Sequence, residues 1–180
     1  MREVTFITGN QHKADQLVAW LGMPIEHQKV EIDEIQSLDL MTVVADKVKR
    51  AYDVVRKPVL VEDVALTFTA LGALPGPLIK WFVTPGVETL CRILDGYTDR
   101  TAVVTILYGI FDGVELRTFE GSTAGTIADQ PRGIHGFGFD PVFINEGQPY
   151  TRSEMDEATY AETSHRKQAI QKLREYLQAS

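Results

Sequence analysis

Apolar and polar residues alternate along this chain with two different periods. Val4-Thr5-Phe6-Ile7 is a short apolar run, and Thr8-Gly9-Asn10 follows as a turn. Ala14, Leu17, Val18 and Leu21 then recur at helical spacing until Gly22, so the pattern predicts a strand, a turn and a helix. A second helix is predicted from about Asp39 to Val55, with Val44, Val48, Ala51 and Val55 on one face and Pro58 closing it. Val59-Leu60-Val61 reads as a buried strand that stops at two acids, Glu62 and Asp63. Ala102 to Phe111 alternates and runs apolar, Asp112-Gly113 is a hairpin signal, and Val114 to Ile127 reads as the return strand. After the glycine-rich "PRGIHGFGFDP" comes a short strand at Val142-Phe143-Ile144. The last helix carries Arg166, Ile170, Leu173 and Leu177 along one side, with Thr159 or Thr163 as its N-cap.

No internal repeat, low-complexity segment or linker interrupts residues 1–180, which predicts one domain. The elements predict an α/β fold: a mixed β-sheet flanked by helices, in two lobes with a cleft. Antiparallel pairing in the middle departs from a pure Rossmann order.

Composition narrows the function. The chain has 180 residues, enough to bury roughly 70% of its unfolded surface. A net charge of −7 leaves no broad basic face for a nucleic-acid backbone, while a few cations or a helix start can still hold one small phosphate chain. No apolar run approaches the ~20 residues that cross a bilayer, and MREVTFITGN lacks a signal-peptide pattern. A single cysteine, Cys91, precludes an internal disulfide and fits a reducing cytoplasm. It lies in an apolar helical pattern and is expected to be buried.

Three stretches can carry chemistry. In "VTFITGNQHK" the helix start presents unpaired N–H groups, Thr8 and Asn10 add polar side chains, and Lys13 lies on the first turn. Helix cap and solvated lysine are the simpler roles for Asn10 and Lys13. Glu62 and Asp63, adjacent in a strand, must point to opposite faces. One of them, with Glu34 from the polar stretch before the second helix, offers the oxygen ligands that Mg²⁺ prefers, water and phosphate completing the octahedron. Phe137 and Phe139 flank Gly138, and Ser164, His165 and Arg166 open the last helix. Aromatic faces of this kind stack on bases, and they also fill cores. No HExxH, CxxC, GxxxxGK[ST] or GxSxG pattern is present.

Taken in order, "TGNQHK", "EIQ", "VLVED", "LGALPGPLIKWF", "GFGFDPVF", "EM" and "SHRKQAI" resemble the inosine triphosphate pyrophosphatase family, from residue 5 to about 177. The resemblance implies an elongated mixed α/β fold and a homodimer. It also implies Mg²⁺-dependent (or Mn²⁺-dependent) hydrolysis of deaminated purine nucleoside triphosphates to monophosphate and pyrophosphate. It places Thr8, Gly9, Asn10, Lys13, Lys47 and Lys80 on the phosphates, Glu34 and Asp63 on the metal, and Asp63, Lys13 and Lys80 in catalysis. Phe137, Phe139, Asp140, Ser164, His165 and Arg166 would meet the base. Tyr160 and Ala161 stand where the family usually carries lysine and asparagine, Phe139 where a tryptophan is common, and His12 where a basic residue is frequent. The departure at Tyr160 touches base preference more than hydrolysis. A nucleotide-binding module without turnover, or an enzyme for another modified nucleotide, are the alternatives.

Overall fold

The computed structural model describes residues 3–179. In chain order these form β1 (Thr5–Ile7), α1 (Gln11–Leu21), β2 (Glu26–Gln28), α2 (Leu40–Val55), β3 (Val59–Phe68), β4 (Pro75–Gly76), α3 (Ile79–Val83) and α4 (Glu88–Arg92). The long strands β5 (Thr101–Phe111) and β6 (Leu116–Ile127) follow, then β7 (Phe143–Asn145), α5 (Glu157–Glu162) and α6 (His165–Gln178). The strands make one seven-stranded sheet in the order β2-β1-β3-β5-β6-β7, with β4 paired to β3. β1 is parallel to both β2 and β3, and β6–β7 and β3–β4 are antiparallel, so the sheet is mixed. β5 and β6 are sheet neighbours joined by residues 112–115 only, a connection too short for a parallel crossover. The mixed α/β sheet flanked by helices matches the fold class expected from the sequence pattern.

Local chemistry sets the boundaries. Asn10 sits at φ −102°, ψ 108° and its side chain accepts from the Lys13 N–H, so the chain leaving β1 enters α1 through an N-cap; Gly22 at φ 69° ends it. Asp39 caps α2 by accepting from the Met41 and Thr42 N–H groups, and Arg56 at φ 57° closes that helix before Pro58. Asp112 Oδ1 accepts from the N–H groups of Val114 and Glu115, which tightens the turn between β5 and β6.

Among the described residues, contacts divide the chain into two compact units. One comprises residues 3–63, 106–121 and 166–179; the other comprises Val64–Thr105 and Ser122–His165. β3, β5 and β6 each contribute residues to both. The first unit has a core in which Val44, Val48 and Ala51 of α2 pack against Ile7, Val59, Val61 and Leu107. Burying each of these valine, isoleucine and leucine side chains stabilises by roughly 1.5–3 kcal/mol, which offsets the entropy of ordering short elements. The second unit centres on Leu66, Phe68, Leu90, Leu94, Val104 and Phe143, and Cys91 is buried there at 1% exposure, as its apolar setting predicts.

Four expectations change. β3 does not stop at Glu62 and Asp63 but runs five residues beyond them, to Phe68. Internal pairing and ion partners, rather than solvent, accommodate the acids. Val18 is 42% exposed, because only Ala14, Leu17 and Leu21 of its helical set turn inward. β6 begins at Leu116, and Val114 lies 92% exposed in the turn. Thr159 lies inside α5 and Thr163 ends it, so neither caps α6; α5 is a separate helix capped by Asp156.

Candidate active site

The first unit gathers its polar side chains at the carboxyl ends of three parallel strands, β2, β1 and β3. Pairing of β1 with β3 covers Thr5–Val59 and Phe6–Leu60, after which the chain peels off through Thr8-Gly9-Asn10 into α1. β3 continues past that point, which brings Glu62 and Asp63 beside the turn. Crevices at strand carboxyl ends are the usual ligand positions of such sheets. The turn is built by the Thr8 N–H on the Gln28 carbonyl (3.1 Å) and the Asn10 N–H on Thr8 Oγ1 (3.1 Å). The stem of Lys29 lies over Gly9.

The alternation of β3 separates the two acids. Glu62 is 2% exposed and takes two cations: Lys13 Nζ of α1 lies 2.7 Å from Oε1, and Arg166 Nη1 of α6 pairs with Oε2. Arg166 also donates to Tyr108 Oη at 3.2 Å. Burial alone pushes the Glu62 carboxyl up; Arg166 and Lys13 outweigh it and hold the group down at about 2. Burial acts downward on Arg166, and Glu62 more than reverses it. Burial, then Glu62, drives the Tyr108 hydroxyl upward, so it stays protonated.

Asp63 lies on the strand face that α2 covers. Lys47 Nζ of α2 reaches Glu34 Oε1 at 2.6 Å and Asp63 Oδ2 at 3.4 Å, and it donates to the Glu62 carbonyl oxygen at 3.2 Å. Burial disfavours the Lys47 ammonium, but Asp63 and Glu34 raise its proton affinity above the ordinary lysine value. Among the described residues no group of three or more His, Cys, Asp or Glu side chains could hold a metal ion. Glu34 and Asp63 nevertheless point at one cation already, so the pair suits an ion whose other ligands are water and phosphate.

The second unit carries the other predicted residues. Asp140, 4% exposed, accepts from Arg152 Nε through Oδ1 (2.9 Å), and from the Phe137 N–H (3.0 Å) and Tyr160 Oη (3.1 Å) through Oδ2. Arg152 is 1% exposed, its Cζ lies 4.2 Å from the Tyr160 ring centroid, and Nη1 donates to Asn145 Oδ1 at 3.3 Å. A side chain at Gly136, which sits at φ 76°, would strike the Asp140 carboxylate. Gly138 at φ 65° supplies the left-handed turn between Phe137 and Phe139. Phe139 meets Phe143 edge-on at 6.5 Å and packs on the core, whereas Phe137 is half-buried. Ser164 and His165 are buried, and Lys80 is exposed on α3 behind the Pro75-Gly76-Pro77 turn.

Thus Thr8, Gly9, Asn10, Lys13, Glu34, Lys47, Asp63 and Arg166 belong to the first unit, and Lys80, Phe137, Phe139, Asp140, Tyr160, Ser164 and His165 to the second. Arg166 was expected to donate to the base. The residue is 4% exposed, and its guanidinium carries the counter-charge that the buried Glu62 needs. Sequence reasoning missed Tyr108 and Arg152. A single phenol in the mostly apolar run "VTILYGIF" was the available signal for Tyr108, since a buried tyrosine needs a partner for its O–H. Arg152 in "YTRSEM" gave none.

Comparison with known proteins supplies the fold and the family. In overall fold the chain superposes on a HAM1 protein from Coxiella burnetii with a TM-score of 0.87, at 24% identity and over 100% of both chains. The Staphylococcus aureus Ham1 protein follows at a TM-score of 0.82, 23% identity and 98% of both chains. The Ham1 family profile matches residues 4–176, and the chain belongs to the Ham1 family. Among curated relatives, the inosine triphosphate pyrophosphatase of Neurospora crassa is 44% identical over 178 residues, covering 96% of this chain and 91% of its own. That of Pyricularia oryzae is 45% identical over 177 residues, covering 96% and 92%.

Proposed function

We propose that this protein hydrolyses deaminated purine nucleoside triphosphates (inosine, deoxyinosine and xanthosine triphosphate) to the monophosphate and pyrophosphate, clearing them from the nucleotide pool. The observation that carries the reading is the meeting of Lys47, Glu34 and Asp63 next to the Lys13–Glu62 pair, where β3 runs on past the end of its pairing with β1. The relatives named inosine triphosphate pyrophosphatase support the substrate class.

In this reading Glu34 and Asp63 hold a divalent ion, Mg²⁺ or Mn²⁺, which when bound neutralises phosphate charge and polarises the α-phosphorus. Asp63 orients a water and takes its proton as the water oxygen attacks that phosphorus. The bond to the β-phosphate oxygen breaks, and pyrophosphate leaves. The N–H groups at the start of α1, with Thr8, Gly9 and Asn10, cradle phosphate oxygens. Lys13 and Lys47 offset the charge that grows on the leaving group. Phe137, Phe139, Asp140, Tyr160, Ser164 and His165 form the base end. A hydrogen-bond donor at that end suits the 6-oxygen of hypoxanthine and xanthine and opposes the 6-amino group of adenine. Asp140 serves that end by fixing Tyr160 and the Phe137 backbone. In this proposal the protein works as a cytoplasmic homodimer with no nucleic-acid or membrane partner.

The test is a nucleotide panel with and without metal, the products separated as pyrophosphate or inorganic phosphate. Inosine and xanthosine triphosphates should release pyrophosphate only with a divalent ion. Binding without release would point to a module without turnover, and release from a different nucleotide alone would move the substrate.

A further inference from the structure

The ammonium of Lys47 occupies the point at which the Glu34 and Asp63 carboxylates meet. Its three acceptors are Glu34 Oε1 at 2.6 Å, the Glu62 carbonyl oxygen at 3.2 Å and Asp63 Oδ2 at 3.4 Å. An ammonium has three donors, so this cage satisfies Lys47 completely. The three partners differ in freedom. Lys47 springs from the middle of α2, whose Val44, Val48 and Ala51 are locked in the core, and Asp63 is fixed in β3. Glu34 lies outside any helix or strand, with its side chain 38% exposed. A divalent ion ligated by both carboxylates needs the place the ammonium holds, and two cations that close repel.

We propose that Lys47 is a positioning residue that acts as the internal counter-cation of this carboxylate pair. Without metal it holds Glu34 and Asp63 aimed at one point and prevents two like charges from splaying the site. A divalent ion binds only by displacing it. The flexible lysine stem then carries the released ammonium to the next available anion, the phosphate chain. The inference rests on the metal role proposed for Glu34 and Asp63. It adds that Lys47 lowers the affinity for free metal and couples metal entry to nucleotide binding, because a nucleotide gives the displaced ammonium a partner. Such coupling is reciprocal: nucleotide tightens metal, and metal tightens nucleotide.

The experiment measures Mn²⁺ binding by electron paramagnetic resonance on the intact chain without nucleotide, for wild type, Lys47→Met, Lys47→Arg and Glu34→Gln. Lys47→Met keeps much of the stem and removes the competing charge. It should bind Mn²⁺ on the order of tenfold more tightly than wild type, the scale expected for a close, partly buried charge pair. Lys47→Arg keeps a cation and should stay near wild type, while Glu34→Gln should weaken binding. Adding a non-hydrolysable inosine triphosphate analogue should tighten Mn²⁺ binding more in wild type than in Lys47→Met. Should wild type bind Mn²⁺ through Glu34 while Lys47→Met binds it no more tightly, the counter-cation role is wrong and the metal reading stands. Should no protein bind Mn²⁺, or Glu34→Gln make no difference, the metal reading falls and this inference with it. If Lys47→Met does not fold, judged by circular dichroism, Lys47→Gln carries the same comparison.

Discussion

Replacing Glu62 with glutamine keeps the side chain's shape and removes its charge. Glu62 is 2% exposed and stands between Lys13 and Arg166. Its carboxyl falls from the ordinary 4.5 to about 2, with burial opposing and Arg166 and Lys13 prevailing. At 1.36 kcal/mol per pH unit this is worth about 3 kcal/mol of folding stability. Leaving Arg166 buried without its anion puts the expected loss for Glu62→Gln in the range of about 3–5 kcal/mol at pH 7. Against a total of roughly 5–15 kcal/mol that is a large fraction. The folded-state value lies below the unfolded one. The contribution is therefore complete above about pH 4.5 and disappears as pH falls toward 2. Urea unfolding of both proteins between pH 7 and pH 3 should show a gap that is widest at neutrality and narrows below pH 4.5. A gap under about 1 kcal/mol at pH 7, or one that ignores pH, would refute the ion-pair reasoning.

Lys80→Ala should raise KM and lower kcat for inosine triphosphate; unchanged kinetics would leave the exposed α3 lysine outside the reaction. Tyr160→Phe removes the donor to Asp140 Oδ2, while the ring can keep its stacking over Arg152. It should alter the ratio of kcat/KM between inosine and adenosine triphosphates with little effect on melting, and an unchanged ratio would remove Tyr160 from base choice.

How much of this was legible beforehand depended on whether a signal was local. α2 could be read to within a residue because its start and stop are set by neighbours: Asp39 caps it, and Arg56 and Pro58 close it. The hairpin at Asp112-Gly113 was equally local, with Asp112 capping its own turn. The length of β3 was not, because charged residues end a strand on pattern alone. Only the arrival of Lys13 and Arg166 from segments 49 and 104 positions away makes a buried Glu62 tolerable. The opposite facing of Glu62 and Asp63 followed from strand geometry alone. Which cations each would meet did not, since α1, α2 and α6 are brought to the strand by packing. The same limit hid Arg152, whose three partners, Asp140, Asn145 and Tyr160, declare themselves only in space.

The most direct test is pyrophosphate release by Asp63→Asn and wild type at saturating inosine triphosphate and Mg²⁺, with nucleotide affinity measured on the same samples. If Asp63 handles the attacking water, turnover falls by ~10²-fold or more while binding largely survives. Turnover near wild type would contradict the assignment, and with it the placing of the chemistry at the carboxyl end of β1.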